Sequence, residues 1–178
     1  GALSPENVQD LANGTTPTAI GGGPVLAQYF PLDGAGTQVT LPNSVAGGNP
    51  GELVNYEFNI HSWDSTVVPP GLQGSTRSLY LNGFGEFLKI GNLNQTNSAT
   101  ISLWLRPNTL AGDQRLISQL SGPSTQQGPV GYTQNGQIWV WGASGSGSAY
   151  YYPGPAGCLQ AGTWHHLLFT YSGSSATF

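Results

Sequence analysis

The chain has 178 residues, enough for one domain with its own core and at most a fragment of another. Charged residues make up only 7% of it, against roughly a quarter in an ordinary soluble domain. The 5 Trp, 8 Tyr and 6 Phe nevertheless argue against a disordered chain. A net charge of −4 with four scattered cations excludes a phosphate-binding face, so no nucleic-acid partner is expected. No apolar run approaches the ~20 residues of a membrane helix.

The first element is a helix over residues 5–13. Ser4 is its cap, Pro5 opens the first turn, Glu6 favours the positive end, and Asn13-Gly14 ends it. Leu3, Val8 and Leu11 are placed on one face. GTTPTAIGGGP (14–24) reads as a linker. VLAQYFPL (25–32) reads as a first strand interrupted at Pro31, followed by a turn-rich stretch to residue 53. STRSLYLNG (75–83) and GEFLKIG (85–91) read as a hairpin turning at Asn82-Gly83. SATISLWLRP (98–107) alternates Ile101, Leu103 and Leu105 with Ser102, Trp104 and Arg106. QRLISQL (114–120) is a short strand, and VGYTQNGQIWVWG (130–142) is a hairpin turning at Asn135-Gly136. Tyr150, Tyr151 and Tyr152 fall in a Gly/Ser-flanked loop. TWHHLLFTYSG (163–173) is a strand, and SATF (175–178) begins another. Short strands joined by hairpin turns predict an all-β, antiparallel β-sandwich with one short N-terminal helix.

Five stretches in this order resemble the laminin G-like domains of the concanavalin A-like lectin/glucanase superfamily. They are VLAQYFPLDGAG (25–36), PNSVAGGNPGEL (42–53), RSLYLNGFGEFLKIGN (77–92), ATISLWLRPNTL (99–110) and GTWHHLLFTYSG (162–173). The resemblance implies a jelly-roll sandwich over 25–178 that lacks its last strands. GALSPENVQDLANG (1–14) resembles the helix that closes such a domain. Residues 1–13 are therefore expected to close a preceding, the same or a neighbouring domain, with 14–24 as linker. With no initiator Met or signal peptide, the chain reads as a mature or excised product. The resemblance further implies a non-catalytic extracellular or cell-surface module.

Several residues carry candidate chemistry. His165 and His166 are adjacent on a strand and so face opposite sides, which speaks against a shared ion and for packing. No two of the eight acids are spaced i, i+2 along a strand, and the Glu-x-Asp-x-x-Glu pattern of the superfamily's retaining glucanases is absent. A non-enzyme is expected. Family members often hold calcium on loop oxygens, which makes Asp33, Asn43 and Asn49 the candidate ligands. Trp139 and Trp141 share a strand face and, with Tyr150, Tyr151 and Tyr152, form a candidate aromatic platform. Trp63 is placed in a long loop, and Trp104 and Trp164 in the core. Cys158 has no partner for an internal disulfide. Asn13 and Asn94 head sequons.

Two functions follow. The first is a structural or adhesion unit of a tandem or self-assembling surface protein or filament, with like domains as partners. The second is a lectin-like domain that binds glycan through the 139–152 aromatics. An accessory domain of a secreted glycoside hydrolase is the weaker third.

Overall fold

A computed structural model of the chain describes residues 3–22, 26–57, 63–72, 74–91, 98–117, 130–143, 149–172 and 175–177. The described residues are mostly strand, with one α-helix, one 3-10 turn, and ladders that are antiparallel throughout. The chain divides into two compact units, one over 3–91 and one from Asn92 onward.

In the first unit, α1 (Pro5–Ala12) forms where its caps place it. Ser4 Oγ accepts the Asn7 N–H at 3.3 Å, and the Asn13 N–H bonds the Gln9 carbonyl at 2.9 Å. Leu11 is buried. Gly14 leaves the helix at φ +89°, and a Cβ there would collide with the Gly71 carbonyl, so this unit seats the helix end on a position only glycine can fill. The helix and its exit belong to the same unit as the strands that follow.

Those strands are short. β1 (Thr40–Leu41), β2 (Gly51–Val54) and β5 (Phe87–Lys89) make one sheet, while β3 (Trp63–Asp64) and β4 (Ser78–Leu79) make a second. Leu41, Leu53 and Trp63 form the core, with Phe30, Leu32, Tyr56, Leu79 and Leu88 packed on it. Trp63, placed by sequence in a loop, is thus a buried strand residue, and its indole lies where a Cβ on Gly34 would be.

Two strand expectations fail here for identifiable reasons. Residues 26–32 form no ladder, because Pro31 supplies no N–H and Leu32 turns to φ +57°. Tyr29 is held instead by two bonds from the 43–44 loop: its N–H donates to Asn43 Oδ1 (3.1 Å) and its carbonyl accepts the Ser44 N–H (2.9 Å). The second failure is the hairpin expected at Asn82-Gly83. β4 pairs with β3 and β5 with β2, not with each other. The Glu86 carboxylate closes the intervening loop. Only 7% exposed, it accepts the Asn82 N–H at 2.7 Å and the Glu57 N–H at 3.1 Å.

The second unit is more regular. β6 (Ser98–Leu105) pairs with β11 (His165–Ser172) over eight registered positions, with β12 (Ser175–Thr177) on the other side of β11. β7 (Asp113–Ile117), β8 (Val130–Gln134), β9 (Gln137–Ala143) and β10 (Ala149–Pro153) form a four-stranded sheet in chain order. Both sheets feed one core. Ile138 of β9, Phe169 of β11 and Leu159 are buried together, with Ile101, Leu103, Leu105, Leu110, Cys158 and Leu167 packed around them. The alternation read from SATISLWLRP is realised, with its Ile and Leu positions turned to this core. Tyr150, Tyr151 and Tyr152 lie in strand β10 rather than in a loop. Phe178, at the end of the expected last strand, lies outside the described residues.

Truncating the centre of this core tests the arrangement. Phe169→Ala is expected to cost about 3–5 kcal/mol in urea unfolding, the usual price of a buried Phe cavity. A cost below about 1 kcal/mol would mean that Phe169 is not central.

Candidate functional site

The second unit's four-stranded sheet brings the candidate aromatics together through register. Asn135 (φ +49°) and Gly136 (φ +76°) form the left-handed pair that a two-residue hairpin needs. That turn sets Gln134 opposite Gln137, Tyr132 opposite Trp139, and Val130 opposite Trp141. On the other edge of β9, Pro153 stands opposite Trp139 and Tyr151 opposite Trp141. Directly opposed residues of an antiparallel pair share a face. Ile138 occupies the other parity and is 5% exposed in the core. Trp139, Trp141, Tyr151, Tyr132 and Pro153 therefore hold positions on the face away from that core. Arg115 of β7, registered opposite Tyr132, extends the row.

The five aromatics singled out by sequence thus divide. Trp139, Trp141 and Tyr151 share one parity. Tyr150 and Tyr152 pair with Gly142 and Val140 on the parity of Ile138. Tyr132 was missed, although folding 130–142 about Asn135-Gly136 is enough to place it beside Trp139. Pro153 was missed because β10 was read as a loop. Trp139 itself is half-buried.

The hairpin is pinned from outside. Gln137 Nε2 donates to the Gly154 carbonyl at 2.7 Å, and the Gly154 N–H reaches the Ile138 carbonyl at 2.6 Å. The Gly136 carbonyl accepts the Leu159 N–H at 3.0 Å and the Cys158 thiol at 3.4 Å.

A second polar–aromatic cluster lies on β6 and β11, on the face away from Leu103 and Leu105. Trp104, expected in the core, is half-buried here and stacks on His166 with ring centroids 5.0 Å apart. Its strand parity decides this, because Leu103 and Leu105 already claim the core side. Ser102 Oγ lies 2.8 Å from His166 Nε2, and the Thr100 and Thr170 hydroxyls meet at 3.2 Å. His165 faces the other way, its Nε2 accepting the Gln160 N–H at 3.0 Å. The two imidazoles are separated by the strand, as their adjacency requires. Trp164 is half-buried beside them in sequence.

Burial holds the His166 imidazole below its ordinary range, so it favours the neutral form. The unfolded chain therefore binds this proton more readily than the folded one. Stability from this site is fully present above pH ~6.5 and declines as pH falls toward the lower, folded value. His166→Gln is expected to flatten that part of the urea-midpoint profile, and an unchanged acid slope would overturn the assignment.

The calcium candidates lie in the first unit. Asn43 and Asn49 meet, but through the Asn43 amide nitrogen donating to the Asn49 carbonyl at 3.3 Å. Asn43 Oδ1 already accepts two backbone N–H groups, Tyr29 at 3.1 Å and Val45 at 3.0 Å. Asp33 Oδ1 accepts those of Thr76 and Arg77, both at 3.0 Å. Calcium takes six to eight oxygens; in this structure Asn43 Oδ1 and Asp33 Oδ1 are engaged by backbone amides. No group of three His, Cys, Asp or Glu gathers among the described residues. Asn43→Ala, which strands two amides, is expected to cost about 1–3 kcal/mol. Added calcium is expected to leave the melting temperature unchanged, and a calcium-dependent rise would show that these oxygens can be turned to an ion.

The chain is thus an antiparallel, mostly-strand protein with an aromatic sheet face. It belongs to the concanavalin A-like lectin/glucanase superfamily, whose laminin G-like family model matches residues 82–178, more than half of the chain. The match takes in β5 through β12 and begins at Asn82, downstream of Asp33, Asn43 and Asn49. No curated protein and no solved structure matches the chain. No helix among the described residues is long and apolar enough to cross a membrane.

Proposed function

We propose that the chain is a non-catalytic, extracellular adhesion module, a sandwich domain that works as one unit of a larger surface assembly. It meets its partner through the sheet face carrying Trp139, Trp141, Tyr151 and Tyr132. The register that lines up these positions opposite Ile138 is the observation that carries the reading. A sheet face rich in aromatics, with Asp113 and Arg115 along its β7 side, suits contact with another macromolecule. Apolar groups elsewhere point the same way. Phe84 is 94% exposed, and Leu81 and Phe87 near it are 41% and 47% exposed, a surface that a packed array would cover.

The non-catalytic reading is supported by what the acids do. Asp33, Asp64 and Glu86 each accept backbone N–H groups and so serve as staples of the fold. The helix α1 closes its own unit in this reading, with like domains as neighbours.

A glycan is the second reading, favoured by the same aromatic row, since stacked platforms flanked by polar groups suit sugar rings. Two measurements separate them. Sedimentation across a wide concentration range is expected to show association that Trp141→Ala weakens, and a strict monomer at the highest concentration would remove the assembly reading. On a glycan array, Trp139→Ala and Trp141→Ala are expected to abolish any signal if the face is a lectin site. Binding that survives both changes would remove the glycan reading.

A further inference from the structure

The first unit holds a cavity that neither the aromatic face nor the calcium reading uses. Its volume is about 190 Å3, and Thr16, Tyr29, Pro31, Asp33, Leu72, Gly74 and Ser75 line it. None of the chain's four cations is among these residues.

The lining is made of acceptors on one side and hydrocarbon on the other. Asp33 is fixed by the two amide bonds to its Oδ1, which leaves Oδ2 without a hydrogen-bond partner among the described residues. The nearest cation, Arg77, spends a guanidinium N–H on the Gly34 carbonyl at 3.0 Å. Ser75 donates its hydroxyl proton to the Arg77 carbonyl at 3.2 Å, which leaves its lone pairs for the cavity. Thr16 Oγ1 shares a 3.4 Å contact with Thr18 and adds a further hydroxyl oxygen. Tyr29 is anchored at its backbone by Asn43 and Ser44 and brings its phenol. Burial, and then the Asp33 charge, raise the pKa of that phenol, so it stays protonated. Pro31 and Leu72 supply the apolar wall.

An anion is excluded by the carboxylate. Calcium favours sites with several carboxylates, and the lining carries one, Asp33. A neutral polyol would bond the carboxylate through its hydroxyls but without the attraction between opposite charges. The geometry points to a primary ammonium on an aliphatic stem, such as a lysine side chain or a free alkyl diamine, as the ligand of this cavity. The ammonium's three N–H groups meet Asp33 Oδ2 and the hydroxyl oxygens, while the methylenes lie along Pro31 and Leu72. This site is independent of the aromatic face, and neither reading depends on the other.

The test is an amide-shift NMR titration of the intact chain with four probes. They are Nα-acetyl-lysine methylamide, its neutral analogue Nα-acetyl-norleucine methylamide, 1,5-diaminopentane and methyl glucoside. The two amines are expected to give saturable shifts around Asp33 and Ser75 that weaken with added salt, while the neutral probes give none. Tighter binding of the lysine derivative than of the diamine identifies a protein side chain as the natural occupant, and the reverse order a free amine. Asp33→Asn keeps Oδ1 for the Thr76 and Arg77 amides while removing the charge. It is expected to weaken amine binding at least about tenfold, with a modest fall in melting temperature because the two amide bonds lose a charged acceptor. Should that variant unfold, the salt dependence of the wild type and a loss of about threefold in Tyr29→Phe carry the same information. The inference is overturned if neither amine gives a saturable shift, if Asp33→Asn binds as the wild type does, or if norleucine or glucoside binds equally well.

Discussion

The burial of Ile138 against Leu159 and Phe169 governs the second unit. A strand has only two faces, so committing one residue of β9 to the core commits every other residue of it. Trp139 and Trp141 are sent to the opposite side by that single choice. Cross-strand pairing then passes the parity to β8 and β10 and recruits Tyr132, Tyr151 and Pro153 without any contact among them having to specify it. A one-residue slip would put both Trp positions in the core and Ile138 outside, so the Asn135-Gly136 turn and the Gln137–Gly154 bond, which oppose a slip, also maintain the face.

The first unit is held differently. Its strands run two to four residues, too short for ladders to dominate. Side chains therefore take over backbone amides that a sheet would otherwise satisfy. Asp33 serves two, Asn43 two, Glu86 two and Asp64 those of Thr66 and Val67. In a chain with so few charges, Asp33, Asp64 and Glu86 are spent on architecture. Buried unpaired amides are costly, and a charged acceptor makes the stronger bond.

Legibility in the sequence followed the strength of local signals. The helix was readable because Ser4, Pro5 and Asn13-Gly14 each satisfy a specific end group. The 98–105 strand was readable because alternation is strong there and its faces differ in polarity, and 165–172 because its Phe-Thr-Tyr run ends at a Ser-Gly turn. Asn135-Gly136 reported its turn faithfully. Asn82-Gly83 did not, because a carboxylate four residues on captured the Asn82 amide and closed a loop there in place of a two-strand turn. Tyr150–Tyr152 was misread because three like residues show no alternation, and the flanking Gly and Ser resemble turn chemistry. Of the site, Trp139 and Trp141 could be placed relative to each other. The split among the tyrosines needed the register of β10, which a single strand's sequence does not contain. The amine cavity draws on residues from 16 to 75 and could not be seen without the fold.

One small contact offers a handle on motion. The Cys158 thiol bonds the same Gly136 carbonyl that receives the Leu159 amide, beside the turn that sets the hairpin's register. Half-buried there, it is shielded from reagents in proportion to how long the 154–159 loop stays docked. Its alkylation rate is therefore a clock for local opening, and it reads the lifetime of the aromatic face's alignment from a residue that takes no part in that face.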